Sequence, residues 1–265
     1  MNILQAVILG ITQGLTEFIP VSSSGHLVLV HHALGITENG LSFDVALHLG
    51  TLAALLLFFH KDIWELLLGL FGKNEKQRLA LLLILATIPA VIVGVLLETA
   101  AESTFRSVRL VSFDLMIAAL FMLVAEWYAK KRRRHTSLEQ TTTKQSIIIG
   151  VAQAAAVVPG VSRSGATITA GLFTGMDRVA ATRFSFLLAM PITAGAILKV
   201  LTGSNAMQQI QSEAGIFAIG IFTAFISGLF AIKFLLNYLA KHSLAVFAYY
   251  RLIVGAVAIL LVTVR

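Results

Sequence analysis

Six continuous apolar stretches limit the folds open to this chain more than any other feature. Each can cross a bilayer as a helix, which takes about 20 residues. They cover residues 43–60, 79–97, 109–128, 184–201, 215–236 and 245–264. In all, 57% of the residues are hydrophobic and 12% are charged, against about 25% charged in an average soluble protein. Soluble and disordered classes are therefore excluded. Since apolar and polar residues do not alternate as they do in β-barrel strands, we predict an all-α polytopic membrane protein.

The basic residues are distributed unevenly among the predicted loops. Thirteen Lys and Arg lie in 61–78, 129–145, 175–183 and 237–244, whereas the other loops and both termini hold two. The positive-inside rule places the basic loops in the cytoplasm, so both termini are predicted to be extracytoplasmic. We attribute the net charge of +7 to this anchoring and expect no nucleic-acid partner, because aromatic and basic residues are not interleaved. No cysteine is present, which excludes disulfides and thiolate chemistry.

Two further apolar stretches, 3–34 and 146–174, are interrupted by Pro, Gly and Ser. Their halves are too short to span, which predicts re-entrant helix–turn–helix hairpins. The stretches match at an offset of 140, and the matched pairs are Gly10 with Gly150, Gln13 with Gln153, Val21 with Val161, Ser22 with Ser162, Ser24 with Ser164 and Gly25 with Gly165. We therefore predict one membrane domain, 1–265, with repeats 1–128 and 146–265 and a basic cytoplasmic linker, 129–145. Each repeat has a hairpin and three spans, so the repeats should be inverted, with their hairpins meeting near the midplane.

Polar side chains cluster at the two interruptions. The first holds Gln13, Glu17, Ser22, Ser23, Ser24, Gly25 and His26, and the second holds Gly160, Ser162, Arg163, Ser164 and Thr167. Each serine could simply cap a helix, and Glu17 could simply pair with Arg163. Ionisable residues inside a membrane are nevertheless costly and by default mark function. Together these groups offer a base, hydroxyl nucleophiles, a proton carrier and a planar clamp for phosphate oxygens, which indicates phosphoryl transfer.

The motifs at these positions resemble those of the bacterial undecaprenyl-diphosphate phosphatases, the bacitracin-resistance family. The segment 13–17 matches the family's Glu/Gln-x-x-x-Glu, 20–26 is similar to its Pro-Val-Ser-Ser-Ser/Thr-Gly-His, and 159–167 matches Pro-Gly-x-Ser-Arg-Ser-x-x-Thr in full. The resemblance implies an enzyme that hydrolyses a polyprenyl diphosphate to the monophosphate and inorganic phosphate. It implies recycling of the lipid carrier for cell-wall synthesis, bacitracin resistance, and a site in the bacterial plasma membrane that opens to the extracytoplasmic side.

The expected roles follow from residue type and from the pairing of the repeats. Ser23 is the expected nucleophile because it pairs with Arg163, the phosphate clamp, across the repeat. His26 lies three residues further on the same helical face and is the expected acid/base. Glu17 is expected to act as a base or, with Gln13, to hold Mg²⁺ or Ca²⁺. The expected substrate-binding residues are Ser22, Ser24, Gly25, Gly160, Ser162, Ser164 and Thr167.

Several alternatives stay open at this point. Many members of the family carry Glu where this chain has Gln13, so Glu17 is expected to be the main carboxylate ligand or base. Attack could proceed through a phosphoserine or directly by water, and a homodimer is not excluded. His48 is interpreted as an interfacial or packing residue, and Arg251 as a side chain that extends to the membrane surface. The rival function is an inverted-repeat transporter or lipid flippase, which would not need the Ser, His and Arg set.

Overall fold

The computed structural model describes residues 1–36, 40–72, 74–102, 107–132, 135–202 and 210–264. Its helices are α1 Ile3–Phe18, α2 Ser23–Leu34, α3 Gly40–Phe58, α4 His60–Gly69, α5 Glu75–Glu102, α6 Val108–Lys131, α7 Thr143–Ala155, α8 Arg163–Thr174, α9 Arg178–Leu201, α10 Ala214–Leu239 and α11 Ala245–Val264. Within these ranges the one β contact is an isolated bridge between Thr136 and Met176. The predicted all-α class is confirmed.

Five of the described helices are long and apolar enough to cross a membrane. They are Glu75–Leu97 in α5, Val108–Lys131 in α6, Arg178–Lys199 in α9, Ala214–Leu239 in α10 and Ala245–Thr263 in α11. The remaining predicted stretch, 43–60, coincides with α3, which continues into α4 after a 74° bend and gives a sixth candidate span. Large apolar side chains such as Phe121 and Phe230 are exposed on these helices, as expected for a polytopic protein whose outer surface contacts lipid.

Both interrupted stretches form a helix, a turn and a second helix, as predicted. α1 starts with a capping box between Asn2 and Gln5, and α7 starts with a capping box between Thr142 and Gln145. Pro20 ends α1 because proline disfavours helical backbone in the preceding residue, and Ile19 has an extended ψ of 132°. The inverted orientation of the two repeats stays a prediction.

Close helix contacts at glycine hold the first helix of each hairpin in place. A Cβ on Gly14 in α1 would lie 2.4 Å from the carbonyl oxygen of Ala224 in α10, and a Cβ on Gly150 in α7 would lie 2.5 Å from that of Ala86 in α5. Small residues let membrane helices approach at this distance. The positions of α1 and α7, and of the turns that follow them, are therefore set by α10 and α5.

The basic segment after α6 also contacts the second hairpin. The Arg132 guanidinium donates hydrogen bonds to the carbonyl oxygens of Phe173 and Thr174 at the end of α8. A cation at this end of a helix satisfies carbonyls that have no partner within the helix. Arg133 and Arg134 of the predicted linker lie outside the described residues.

Candidate active site

The turns of the two hairpins have nearly the same backbone geometry. Ser22 has φ 76° and ψ 98°, and Ser162 has φ 74° and ψ 116°; among the described residues these are the non-glycine residues with positive φ. Each serine caps the following helix, since its hydroxyl accepts a hydrogen bond from Gly25 N at 3.3 Å or Gly165 N at 3.1 Å. Strained backbone of this kind concentrates at functional sites. The predicted offset of 140 therefore corresponds to equivalent local structure at both turns.

The Glu17 carboxylate joins the first hairpin to the second. Its Oε2 accepts hydrogen bonds from Ser23 Oγ at 2.6 Å and from Gln13 Nε2 at 3.0 Å. Its Oε1 pairs with the Arg163 guanidinium, which also donates to the carbonyl oxygen of Ala189 at 3.1 Å and to the hydroxyl of Thr193. The structure thus brings Gln13, Glu17, Ser23 and Arg163 together. A serine hydroxyl that donates to a buried carboxylate is suited to attack an electrophile, because its proton acceptor is already in place.

A cavity of about 540 Å³ opens beside this group. Its polar lining includes Glu17, Ser23, Ser24, His48, Gln153, Ser162, Arg163, Thr193 and Lys199. The remaining lining is mainly apolar and comes largely from α5 and α9, including Ala90, Val91, Val95 and Pro191. The cavity can therefore hold an anionic head group at the hydroxyls and Arg163 while an apolar chain lies along α5 and α9.

His26 is not brought to Ser23 in the way that the helical spacing predicts. Its Nδ1 lies 2.8 Å from the carbonyl oxygen of Ser22, and its Nε2 lies 2.8 Å from the hydroxyl of Tyr250. A carbonyl can only accept, so Nδ1 carries the proton and Nε2 accepts from Tyr250. His26 is 8% exposed and does not line the cavity. The Ser23 hydroxyl donates to Glu17 and not to His26. The role of His26 as acid/base stays a prediction.

Other predicted substrate-binding residues support the turns and do not line the cavity. The Thr167 hydroxyl bonds to Ser185 at 2.6 Å and to the Arg163 carbonyl at 2.8 Å. Gly160 has φ +97°, and its carbonyl accepts from Arg251 at 2.7 Å. Among the described residues, those predicted to bind substrate but absent from the lining are Ser22, Gly25, Gly160, Ser164 and Thr167. Each of these residues makes a hydrogen bond within the protein. That they also bind substrate stays a prediction.

Comparison with known proteins shows the family of this chain. The family model described as "Bacitracin resistance protein BacA" matches residues 6–257. The chain belongs to this family. It is 46% identical to the "Undecaprenyl-diphosphatase" of Rubrobacter xylanophilus over 97% of each chain. It is 44% identical to that of Moorella thermoacetica over 98% of this chain and 97% of the relative. It is 43% identical to that of Geotalea daltonii over 99% of each. The resemblance found from the motifs is confirmed.

The Arg251 side chain lies in the protein interior, so the prediction that it extends to the membrane surface is wrong. It is 0% exposed. Its guanidinium donates to the carbonyl oxygens of Pro20 at 3.3 Å, Gly160 at 2.7 Å and Val161 at 3.0 Å. Pro20 and Gly160 are equivalent positions of the two repeats, so one side chain holds both turns. The sequence signal for this role was a charged residue within a predicted membrane span, since such residues are rare and usually face the protein interior.

His48 is the cavity residue whose position the sequence least suggested. Its Nδ1 lies 2.9 Å from the Asp44 carbonyl oxygen, one turn earlier in α3. Its Nε2 lies 3.7 Å from Glu17 Oε2, and the side chain lines the cavity. The interpretation as an interfacial or packing residue is wrong. Only the packing of α3 against α1 brings this ring to the carboxylate.

Proposed function

We propose that this chain hydrolyses undecaprenyl diphosphate, or a related polyprenyl diphosphate, to the lipid monophosphate and inorganic phosphate. The observation that carries the proposal is the Ser23 hydroxyl, which donates at 2.6 Å to a buried Glu17 carboxylate paired with Arg163. The apolar walls of the adjoining cavity suit an isoprenoid chain, and the names of the relatives support the same substrate. The product would return the lipid carrier to cell-wall synthesis, and a higher turnover would confer bacitracin resistance.

The proposed reaction begins with transfer of a phosphoryl group to Ser23. Ser23 Oγ attacks the terminal phosphorus, the hydroxyl proton passes to Glu17, and the bond to the bridging oxygen breaks, so the lipid monophosphate leaves. Glu17 returns its proton to the leaving group. Water then attacks the phosphoserine, Glu17 takes the water proton, and this proton passes to Ser23 Oγ as inorganic phosphate leaves. In direct hydrolysis, Glu17 would take the proton from a water that Ser23 orients.

Arg163 is proposed to stabilise the charge that develops on the phosphoryl oxygens. Its guanidinium is a planar donor fork that matches the geometry of phosphate oxygens. The hydrogen bonds to Ala189 O and Thr193 hold the fork at the cavity wall. The side chain therefore needs little reorganisation when substrate arrives, and such preorganisation is a main source of rate enhancement in phosphoryl transfer.

We extend the proposal to a divalent cation, Mg²⁺ or Ca²⁺, bound with substrate. Glu17 and Gln13 would hold it, and Gln13 Oε1 is a buried oxygen that has no hydrogen-bond partner in the described chain. These are the oxygen ligands that such ions prefer. No group of three His, Asp or Glu suited to a metal occurs in the described ranges, so substrate phosphates would complete the coordination. The ion would offset phosphate charge in the low-dielectric cavity.

A phosphate-release assay on the purified protein in detergent tests this function. We expect inorganic phosphate from a polyprenyl diphosphate without any vesicle or ion gradient. Ser112→Ala is the control for a substitution of Ser23, because Ser112 is a buried serine of α6 whose hydroxyl donates to Val108 O in its own helix. This variant should keep wild-type turnover. A protein that releases no phosphate but moves a prenyl lipid across vesicles would support the transporter alternative.

We also propose that the protein lies in the bacterial plasma membrane with its cavity open to the extracytoplasmic side. The cavity is lined by both hairpins, and the first hairpin lies within the N-terminal 42 residues, which contain no Lys or Arg. The positive-inside rule favours an extracytoplasmic position for such a region. The diphosphate would then be hydrolysed on the face where wall polymers are assembled.

A further inference from the structure

We propose that Gln153 binds the diphosphate head group by donating its side-chain NH₂ to a phosphate oxygen. The inference rests on the function proposed above and adds a substrate contact to the same cavity. Gln153 lies in α7, the first helix of the second hairpin. It is a separate residue from the Glu17, Ser23 and Arg163 group that carries the proposed reaction.

The amide of Gln153 is buried at the cavity without a partner. The residue is 3% exposed, and it lines the cavity together with Glu17, Ser23 and Arg163. Neither its Nε2 nor its Oε1 has a hydrogen-bond partner in the described chain. Native proteins rarely leave a buried amide in this state, and such a group calls for a specific explanation. A ligand that accepts hydrogen bonds in the cavity supplies one.

The repeat shows why this amide has no partner within the protein. Gln13 is the equivalent residue of the first hairpin, and its Nε2 donates to Glu17 one turn later at 3.0 Å. The position equivalent to Glu17 in the second hairpin is Val157, which also lines the cavity. Valine cannot accept a hydrogen bond. The two equivalent glutamines therefore differ in their partners. Gln13 donates to the Glu17 carboxylate, whereas the amide of Gln153 is available to a ligand.

A diphosphate matches the chemistry of this wall. Its oxygens accept hydrogen bonds, and a glutamine amide offers two N–H donors. The positive charge of Arg163 is partly neutralised by its ion pair with Glu17. A neutral donor therefore strengthens phosphate binding without adding another buried charge. The hydrogen bond would be charge-assisted, which makes it stronger than a bond between neutral groups.

Gln153→Met tests the proposal because methionine has a similar volume and no amide. We expect KM for the polyprenyl diphosphate to rise by about 10- to 100-fold, the usual effect of losing a hydrogen bond to a charged group. The thermal midpoint without substrate should stay the same or rise, because the substitution removes an unsatisfied buried amide. Thermal stabilisation by inorganic pyrophosphate, a probe that needs no turnover, should fall in parallel.

Gln145→Met is the matched control on the same helix. Gln145 is also buried, but its amide bonds to Thr142 and Thr136 at 2.8 Å each. This variant should show the opposite pattern, with a lower thermal midpoint and an unchanged KM.

Three other outcomes overturn the inference. If Gln153→Met keeps the wild-type KM and the wild-type stabilisation by pyrophosphate, Gln153 does not contact the substrate. If Gln153→Met lowers the thermal midpoint as Gln145→Met does, or does not fold, the amide of Gln153 has a structural role. A changed requirement for Mg²⁺ at unchanged KM shows a cation ligand. If the wild type releases no phosphate while pyrophosphate stabilises it through Gln153, the proposed reaction fails and the binding contact stands.

Discussion

The substitution Glu17→Gln separates the base from the rest of the site. It keeps the size of the side chain and an acceptor oxygen for Arg163 but removes the negative charge that takes the Ser23 proton over 2.6 Å. Loss of a general base lowers turnover by about 100- to 10,000-fold. At 1.36 kcal/mol for each factor of ten, this is about 2.7 to 5.4 kcal/mol of transition-state stabilisation. We expect a fall in kcat of this size in the phosphate-release assay.

A second buried ion pair provides the control for Glu17→Gln. Glu126 is 2% exposed and accepts hydrogen bonds from Arg178 at 2.8 and 2.6 Å and from Leu244 N at 2.7 Å. Removing one partner of a buried pair typically costs about 3 to 5 kcal/mol of stability, and an isosteric amide should reduce this cost. We expect Glu126→Gln to lower the thermal midpoint about as much as Glu17→Gln does while leaving kcat near wild type. A Glu17→Gln protein within tenfold of wild-type kcat, or an equal loss in both variants, would refute the assignment of Glu17 as base.

Three further predictions concern the nucleophile, the metal and the topology. Ser23→Ala should lower kcat by at least about 100-fold if a phosphoserine forms; near-wild-type turnover, with Glu17→Gln inactive, would assign the attack to water. Exhaustive chelation should abolish phosphate release, and added Mg²⁺ or Ca²⁺ should restore it; full activity in chelator would leave Glu17 as base and partner of Arg163 only. In this cysteine-free chain, an impermeant thiol reagent outside intact cells should label Gln211→Cys and not Gln140→Cys. Labelling of Gln140→Cys from outside would contradict the predicted topology, in which the 129–145 loop is cytoplasmic.

Local sequence patterns were sufficient for the helical class and for both interruptions. The apolar stretches predict helices because backbone polar groups must be hydrogen-bonded in lipid, and a helix bonds all of them within its own segment. Pro20 ends α1 through its effect on Ile19, and Ser22 and Ser162 cap the next helices as their position after each turn suggests. These features depend on a few neighbouring residues, so they could be inferred before any contact between helices was known.

The partners of the buried polar side chains depended on the packing of distant helices. Glu17 pairs with Arg163, which lies 146 positions later in the sequence. His26 accepts a hydrogen bond from the Tyr250 hydroxyl, although the i, i+3 spacing had predicted that it acts on Ser23. Arg251 lies in an apolar stretch of the sequence, but in the fold it donates to carbonyl oxygens of both turns. Helical spacing specifies the face on which a side chain lies, whereas its hydrogen-bond partner is whichever group another helix brings to that face. Only the assembled fold could therefore place the base beside Ser23 and leave Gln153 without a partner at the cavity.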